Sequence, residues 1–181
     1  MKLSPLRTMT TLICAAVATV TLTTTTAGAA PTSPSLSASA SGKHDLRHQP
    51  KIVTDWAAAW NGTEPEALGA LFTADADYTD QALGVTLRGR AEISGWKART
   101  NSLIDNARAT VRAAHRDGDH ITIEAVYSGH IKGAAKPFAV PMAVLLDLDG
   151  PRRIASDQDY YSLGAVLAQS GLPADWTPPA S

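Results

Sequence analysis

The chain has 181 residues and a formal net charge of −1, from 16 Lys and Arg residues against 17 Asp and Glu residues. No block of basic residues stands out, so neither nucleic acid nor an anionic membrane surface is an expected partner. The single cysteine is Cys14, close to the N-terminus. A mature chain without this residue can form neither disulfides nor thiolate metal sites, so a packed apolar core must supply its stability.

The N-terminal segment has the composition of a secretory signal. Basic residues open it, an apolar stretch runs from 12 to 22, and Ala27-Gly28-Ala29 offers a small-residue cleavage site. We therefore predict a signal peptide over 1–29 and a secreted protein with no membrane attachment after cleavage; an uncleaved membrane anchor is the alternative. The composition of 30–48, rich in Ser, Ala and Pro, predicts a disordered tether, and that of 174–181 a flexible tail. One domain remains, over 49–173.

The first part of this domain has helical periodicity. Apolar residues recur in one stripe: Ile52, Val53, Trp56, Ala59 and Trp60. Asn61-Gly62 predicts the end of this helix, with the glycine in the left-handed conformation. Thr63 and Glu66 predict a capping box for a second helix, whose buried face extends to Phe72.

The remainder of the domain is mostly strand, with one more helix after the first of these strands. Ala76–Asp80 predicts a short strand and Arg90–Ile104 a third helix. Alternation and turn residues then predict four strands, over 107–115, 120–131, 138–148 and 152–161. Pro141 predicts a bulge or an edge position in the third of these, because proline cannot donate to a strand ladder. Residues 163–170 predict a C-terminal helix.

This order of elements, with several short sequence matches, resembles the SnoaL-like polyketide cyclase group of the nuclear transport factor 2-like superfamily. The matches are Trp60-Asn61, Leu68 to Phe72, Asp75 to Asp80, Gly89 to Ile93, Ser128 to His130, and Ile154 to Tyr160 followed by Leu163. The resemblance covers about 50–172. It implies an α+β fold: a bent, barrel-like mixed sheet wrapped as a cone around three to four helices, with an apolar pocket at its open end. Members include cyclases, isomerases and hydrolases, so the fold alone selects no reaction.

Five residues are candidates for acid/base chemistry. Asp157 and Asp159 share one face of the last strand, because side chains alternate with period two. The resemblance places a general acid/base on this part of the strand, best matched by Asp159, and a polar pocket residue near His130. It also directs the strand of Tyr78 and Asp80 toward the pocket mouth, Tyr78 as a donor to a developing oxyanion and Asp80 as a second acid/base. The alternatives are aspartates that face solvent or pair with Arg152 or Arg153, a rim histidine, and a core tyrosine beside a loop-capping aspartate.

Five apolar residues are candidates for the ligand-binding wall of the pocket: Trp56, Trp60, Trp96, Phe138 and Met142. The alternative is that they are plain core, as aromatic residues at helical spacing usually are. No metal is expected, because His115 and His120 flank a tight turn that splays them outward. The sequence also has no nucleophile elbow and no phosphate-binding glycine loop, so no cofactor is expected.

Three functions remain open at this point. The first is cofactor-free acid/base catalysis (cyclisation, isomerisation or hydration) on an apolar carbonyl compound. The second is a non-catalytic extracellular module that binds a hydrophobic ligand or a protein partner. The third is a role in assembly: the resemblance implies a homodimer through the open face of the sheet, which the apolar 138–148 strand would serve.

Overall fold

The computed structural model describes residues 49–178, so the predicted signal peptide (1–29) and tether (30–48) lie outside the described residues. The elements in chain order are α1 (Lys51–Asn61), α2 (Pro65–Gly69), β1 (Phe72–Asp80), β2 (Val85–Arg88), α3 (Gly89–Leu103), β3 (Ile104–Asp117), β4 (His120–Ile131), β5 (Phe138–Leu148), β6 (Ile154–Tyr161) and α4 (Leu163–Ser170). Within 49–178, no helix combines the length and the apolar character needed to cross a membrane.

The strands form one mixed sheet in the order β2-β1-β6-β5-β4-β3. Adjacent strands are antiparallel to each other, except that β1 and β6 are parallel. Strands β2 and β3 are the two edges, so the sheet is not closed into a barrel. The predicted α+β class, with a mixed sheet covered by helices, is confirmed, and β4, β5 and α4 have the predicted bounds.

One face of the sheet carries the core. On β5 every second residue from Phe138 to Leu148 is buried, and on β4 the odd-numbered residues from Ile121 to Ile131 have the same pattern, with Tyr127 half-buried. Helices α1 and α3 place Trp56 and Ile93 in the same hydrophobic cluster. Because strand side chains alternate between faces, the two residues flanking a buried position point away from the helices.

The start of the domain differs from the sequence-based prediction in three places. Helix α2 ends at Gly69, and Phe72 begins β1 instead of extending the helix. The predicted capping box is absent from the described residues, since α2 has no side-chain cap bond. Gly62 has φ −82° and is extended, not left-handed. The end of α1 is held instead by Asn61, which donates to the Ala109 carbonyl (3.1 Å) and accepts from the Ala109 N–H (2.8 Å).

Strand β2 (Val85–Arg88) was not among the strands predicted from the sequence. A turn containing Gly84 at φ 66° reverses the chain, and Val85 then pairs with Asp80 and Arg88 with Asp77. Four residues are too few for alternation to distinguish a strand from a loop. This short edge strand fixes the end of β1, where Asp80 lies.

Pro141 lies in a central strand and makes no bulge. Strand β5 is bordered by β6 and β4, and the β4 pairing runs without interruption through Val126 opposite Pro141. The ladder to β6, however, ends where Met142 meets Tyr161. Pro141 therefore lies one residue beyond the ladder to β6. At this position β5 makes no backbone hydrogen bond to β6, so the missing N–H of the proline costs none on that side.

Helix α3 buries a lysine that the sequence analysis did not single out. Lys97 is 1% exposed, and its ammonium donates to the Trp60 carbonyl and to Asn101 Oδ1, both at 2.7 Å. The same nitrogen lies 5.5 Å from the centre of the Trp60 ring. Burial lowers the pKa of Lys97. These contacts allow a charged residue on the inner face of α3, because they replace part of its hydration.

Candidate functional site

Three buried carboxyl groups meet at the junction of β1 and β6. Asp80 ends β1, and Asp157 and Asp159 lie two residues apart on β6. The parallel pairing sets Asp80 opposite Asp159 and Tyr78 opposite Asp157. The three aspartates are 3%, 0% and 2% exposed. Because an isolated buried carboxylate is costly, their partners decide what this cluster can do.

Each carboxyl group has its own set of donors. The indole N–H of Trp56 donates to Asp157 Oδ2 at 3.0 Å, and the Tyr78 hydroxyl donates to Asp159 Oδ2. Asp80 accepts from the Tyr161 hydroxyl and from the Leu83 N–H, both at 2.9 Å. Three aromatic donors thus hold three carboxyl groups in fixed orientations.

Two carboxyl oxygens of the cluster are left without donors. Among the described residues, neither Asp157 Oδ1 nor Asp159 Oδ1 has a hydrogen-bond partner. Two neighbouring carboxyl groups satisfy each other when one proton lies between them, the arrangement of a coupled carboxyl pair. The side chains of Asp157 and Asp159 interact with each other, and the charge of Asp157 raises the pKa of Asp159, so a pair that shares a proton is favoured over two separate carboxylates.

The ionisation of the cluster agrees with a shared proton. Burial raises the pKa of Asp157 to about 7. Burial, and then the charge of Asp157, raises the pKa of Asp159 well above its ordinary value. Burial also raises the pKa of Asp80. A carboxyl group that exchanges its proton near neutral pH is suited to general acid/base work.

A cavity of about 120 Å³ adjoins this cluster. Asp80 and Asp159 line it, together with Tyr78, Tyr127 and Tyr161. The rest of the wall is largely apolar and comes from α1, α3, β3, β4, β5, α4 and the segment after α4; it includes Trp60, Trp96, Leu103, Ile131, Phe138, Met142, Val166 and Trp176. An apolar enclosure with a few converging polar groups is typical of a small-molecule site.

The sequence profile of the SnoaL-like domain matches residues 53–156. The chain belongs to this family. The predicted resemblance to the SnoaL-like group is confirmed, and the match ends one residue before Asp157. This SnoaL-like domain therefore supplies Tyr78 and Asp80 from within the matched segment, whereas Asp157 and Asp159 lie just beyond it.

Solved structures extend the comparison. A protein with a ketosteroid isomerase-like fold from Catenulispora acidiphila, crystallised in complex with trimethylamine, is 66% identical, with TM-score 0.71, and the alignment covers 72% of this chain and 99% of that one. A nuclear transport factor 2-like protein from Burkholderia thailandensis is 24% identical, with TM-score 0.59 and coverage of 68% and 96%. An epoxide hydrolase of Mycobacterium tuberculosis is 14% identical, with TM-score 0.57 and coverage of 66% and 86%. The last two show a shared fold only. No curated protein matches the chain.

The structure brings together four of the five residues predicted to be catalytic, and three of these four line the cavity. Asp159, Asp80 and Tyr78 line the cavity. Asp157 lies behind Asp159, bonded to Trp56. His130 is placed elsewhere: it alternates with buried Ile131, and its Nε2 lies 2.9 Å from the Ala134 carbonyl. In this SnoaL-like domain, His130 therefore does not line the cavity.

Four of the five predicted wall residues line the cavity: Trp60, Trp96, Phe138 and Met142. Trp56 does not; it is fully buried, and its indole serves as a donor to Asp157. Helical spacing places both tryptophans of α1 on one stripe but does not show which of them reaches a cavity.

Three aromatic residues of the wall were not among those predicted from the sequence: Tyr127, Tyr161 and Trp176. Period-two alternation gave a signal for Tyr161, since it shares a face of β6 with Asp157 and Asp159. Trp176 gave none, because it lies in the segment predicted as a flexible tail. In the structure the backbone N–H of Trp176 donates to the Pro173 carbonyl at 3.0 Å, and the Trp176 side chain packs on the cluster of Ile131 and Phe138.

Within 49–178, no group of three or more His, Cys, Asp or Glu side chains has the arrangement needed to hold a metal ion. The three aspartates accept hydrogen bonds from aromatic side chains, and burial raises the pKa of each of them. What this arrangement can do by itself is accept and return a proton inside an apolar enclosure.

Proposed function

We propose that this SnoaL-like protein catalyses proton transfer on a small apolar carbonyl compound, without a cofactor, after export from the cell. The observation that carries the proposal is Asp159, a buried carboxyl group in the wall of an apolar cavity, paired with Asp157 and held by the Tyr78 hydroxyl. Isomerisation, cyclisation and hydration all include such a step.

The proposed step is the removal of a proton from the carbon next to the carbonyl group. The C–H electrons become the carbon–carbon double bond of an enolate, and the proton goes to the Asp159 carboxylate. The same carboxyl group returns the proton to the same carbon or to another one. Asp157 supports this exchange by sharing a proton with Asp159, and Tyr78 fixes the orientation of the Asp159 carboxyl group.

Hydrogen–deuterium exchange tests the proposal directly. We expect the protein to accelerate deuterium uptake at the α-carbons of cyclohexanone in D₂O, followed by proton NMR, relative to the same protein unfolded by heat. The rate is expected to rise from pH 5 to pH 8, because a base must be ionised and the pair of Asp157 and Asp159 loses its first proton as the pH passes the raised pKa of Asp157, about 7. No acceleration with cyclohexanone, cyclopentanone or 2-butanone would contradict it.

The second candidate is a binding module for a small amine. It is favoured by the 66% identical relative, whose crystal structure contains trimethylamine. Here the cavity combines aromatic rings, including Trp60 and Trp96, with the carboxyl groups of Asp80 and Asp159, and both kinds of group attract an organic cation.

Calorimetry separates this candidate from the first. If the protein is an amine binder, tetramethylammonium is expected to bind at least about tenfold more tightly than tert-butanol, a neutral molecule of similar shape. Asp80→Asn is expected to reduce that preference, whereas Asp75→Asn, at an exposed position, is expected to retain it. Equal affinities for the two ligands would exclude charge recognition.

The predicted homodimer is likewise a proposal. The outer face of β5 presents Ala139, Pro141 and Leu145, all exposed in a single chain. A molar mass of one chain by light scattering would contradict it.

A further inference from the structure

We propose that the Tyr127 hydroxyl binds the carbonyl oxygen of the substrate and stabilises the negative charge that develops there. This inference rests on the proposed function, since it assigns the second half of the same proton transfer. Tyr127 lies on β4, on the face of the sheet that carries the core, and its side chain lines the same cavity as Asp159. A ligand in this cavity thus meets a carboxyl group and a phenol together.

The tyrosine hydroxyl groups of the cavity wall point to this residue, since the Thr100 hydroxyl donates to the Trp96 carbonyl. Three tyrosines line the cavity, and two of them are already committed: Tyr78 donates to Asp159 Oδ2, and Tyr161 donates to Asp80 Oδ2. Among the hydrogen bonds of residues 49–178, none involves the Tyr127 hydroxyl. The Tyr127 hydroxyl lies in the cavity wall and is not one of the fully buried atoms without a partner, so it stays accessible from the cavity. An oxygen of a bound ligand can therefore accept a hydrogen bond from it without breaking one within the protein.

The neighbours of Tyr127 hold its ring in one place. Its centroid lies 5.1 Å from that of Phe138 and 5.2 Å from that of Tyr161, both in edge-on geometry. Such contacts restrict the ring, so the hydroxyl does not have to be ordered when the ligand arrives. A donor that is fixed before the reaction stabilises developing charge more effectively than a mobile one.

The surroundings also keep the proton on Tyr127. Burial, and then the charges of Asp80 and Asp159, raise the pKa of Tyr127 above its ordinary value. The phenol therefore stays neutral at physiological pH and acts as a donor, not as a base. Asp159 takes the carbon-bound proton, whereas Tyr127 keeps its own and shares it with the oxygen in a hydrogen bond, so the two groups have separate roles.

This assignment changes the one drawn from sequence. Tyr78 was the predicted donor to the oxyanion, but its hydroxyl is directed at Asp159. Tyr78 is therefore a positioning residue for the base. The β4 alternation already placed Tyr127 on the apolar face, yet nothing in the sequence distinguished a cavity hydroxyl from a core aromatic residue.

The carbonyl stretching band of bound cyclohexanone provides the test, because a hydrogen bond to the oxygen lowers its frequency. We expect the infrared band to move to higher frequency in Tyr127→Phe than in the wild-type protein. Tyr160→Phe is the matched control: its hydroxyl lies on the outer face of β6, bonded to Gln158, and the band is expected to stay in place. In the exchange reaction, Tyr127→Phe is expected to lower kcat by about 10²-fold while KM changes little, the pattern of a donor used mainly in the transition state.

The band separates failure of this assignment from failure of the proposed function. A bound-ketone band that is the same in Tyr127→Phe and wild type overturns the assignment, even if the protein catalyses exchange. If the band moves in Tyr127→Phe but the wild-type protein catalyses no exchange, the Tyr127 contact is supported and the proposed reaction is excluded. If the wild-type protein gives no band for bound ketone, the assignment is overturned. Circular dichroism checks the fold of the variant, which keeps every ring contact of Tyr127.

Discussion

Asp159→Asn is expected to lower the rate of ketone α-proton exchange by about 10²- to 10⁴-fold, the usual contribution of a positioned general base. An amide has no basic oxygen that can take up the proton at neutral pH. It keeps a carbonyl oxygen for the Tyr78 hydroxyl and gains an N–H that can reach Asp157, so the buried hydrogen bonds are preserved. The fold is therefore expected to remain intact, as checked by circular dichroism, while NMR measures the exchange rate.

A carboxylate on the surface provides the control for this experiment. Asp75 is exposed on β1, and Asp75→Asn is expected to retain the wild-type rate. Asp159→Ala should lose activity to the same extent, although it leaves the Tyr78 hydroxyl without its acceptor. If Asp159→Asn exchanges protons at the wild-type rate, Asp159 is not the base, and Asp80 is the other carboxyl group in the cavity to test.

The parts of the fold that the sequence predicted well are those with long, regular patterns. Strands β4 and β5 alternate over 12 and 11 residues, and their observed bounds are the predicted ones. The same alternation correctly placed Asp157 and Asp159 on one face. Where the pattern was short, as at Phe72 and in the four-residue strand β2, local preference could not decide. Pairing decided instead: Phe72 pairs with Ile154 of the distant strand β6, and β2 pairs with β1 across a turn.

His130 shows two lines of sequence reasoning in conflict. Alternation on β4 places it on the face opposite Ile121 and Ile123, whereas the family resemblance placed a polar pocket residue near it. The structure agrees with alternation, because Ile131 is buried and its neighbour must face the other way. A local physical rule was the better guide here than a position borrowed from relatives.

The composition of the site was harder to predict than its location. Nothing in the sequence shows that Trp56 is a donor to Asp157, or that Lys97 is buried against the Trp60 carbonyl. Both contacts join residues far apart in the chain, and charged residues are ordinarily expected outside. Sequence reasoning could therefore identify the carboxyl groups but not the partners that set their ionisation.

The stability of the protein is expected to fall as the pH rises from about 4 to 8. Burial raises the pKa of Asp157 from 3.8 to about 7 on folding, so the folded state binds more protons than the unfolded chain in this range. A group of this kind contributes stability that is complete below its unfolded pKa and lost as the pH rises through its folded pKa. For Asp157 the loss is on the order of 4 kcal/mol. Asp159 and Asp80, whose pKa values are also raised, act in the same direction.

Asp157→Asn is expected to remove much of this dependence. The amide resembles the protonated acid: its oxygen can accept from Trp56, and its N–H can donate to the free oxygen of Asp159. In urea unfolding followed by circular dichroism, the variant should be more stable than wild type at pH 8 by up to a few kcal/mol, and close to wild type at pH 4.5. Asp75→Asn should parallel the wild type throughout. A wild-type protein that becomes more stable from pH 5 to pH 8, with Asp157→Asn following the same slope, would show that Asp157 is ionised in the folded state and that the pair shares no proton.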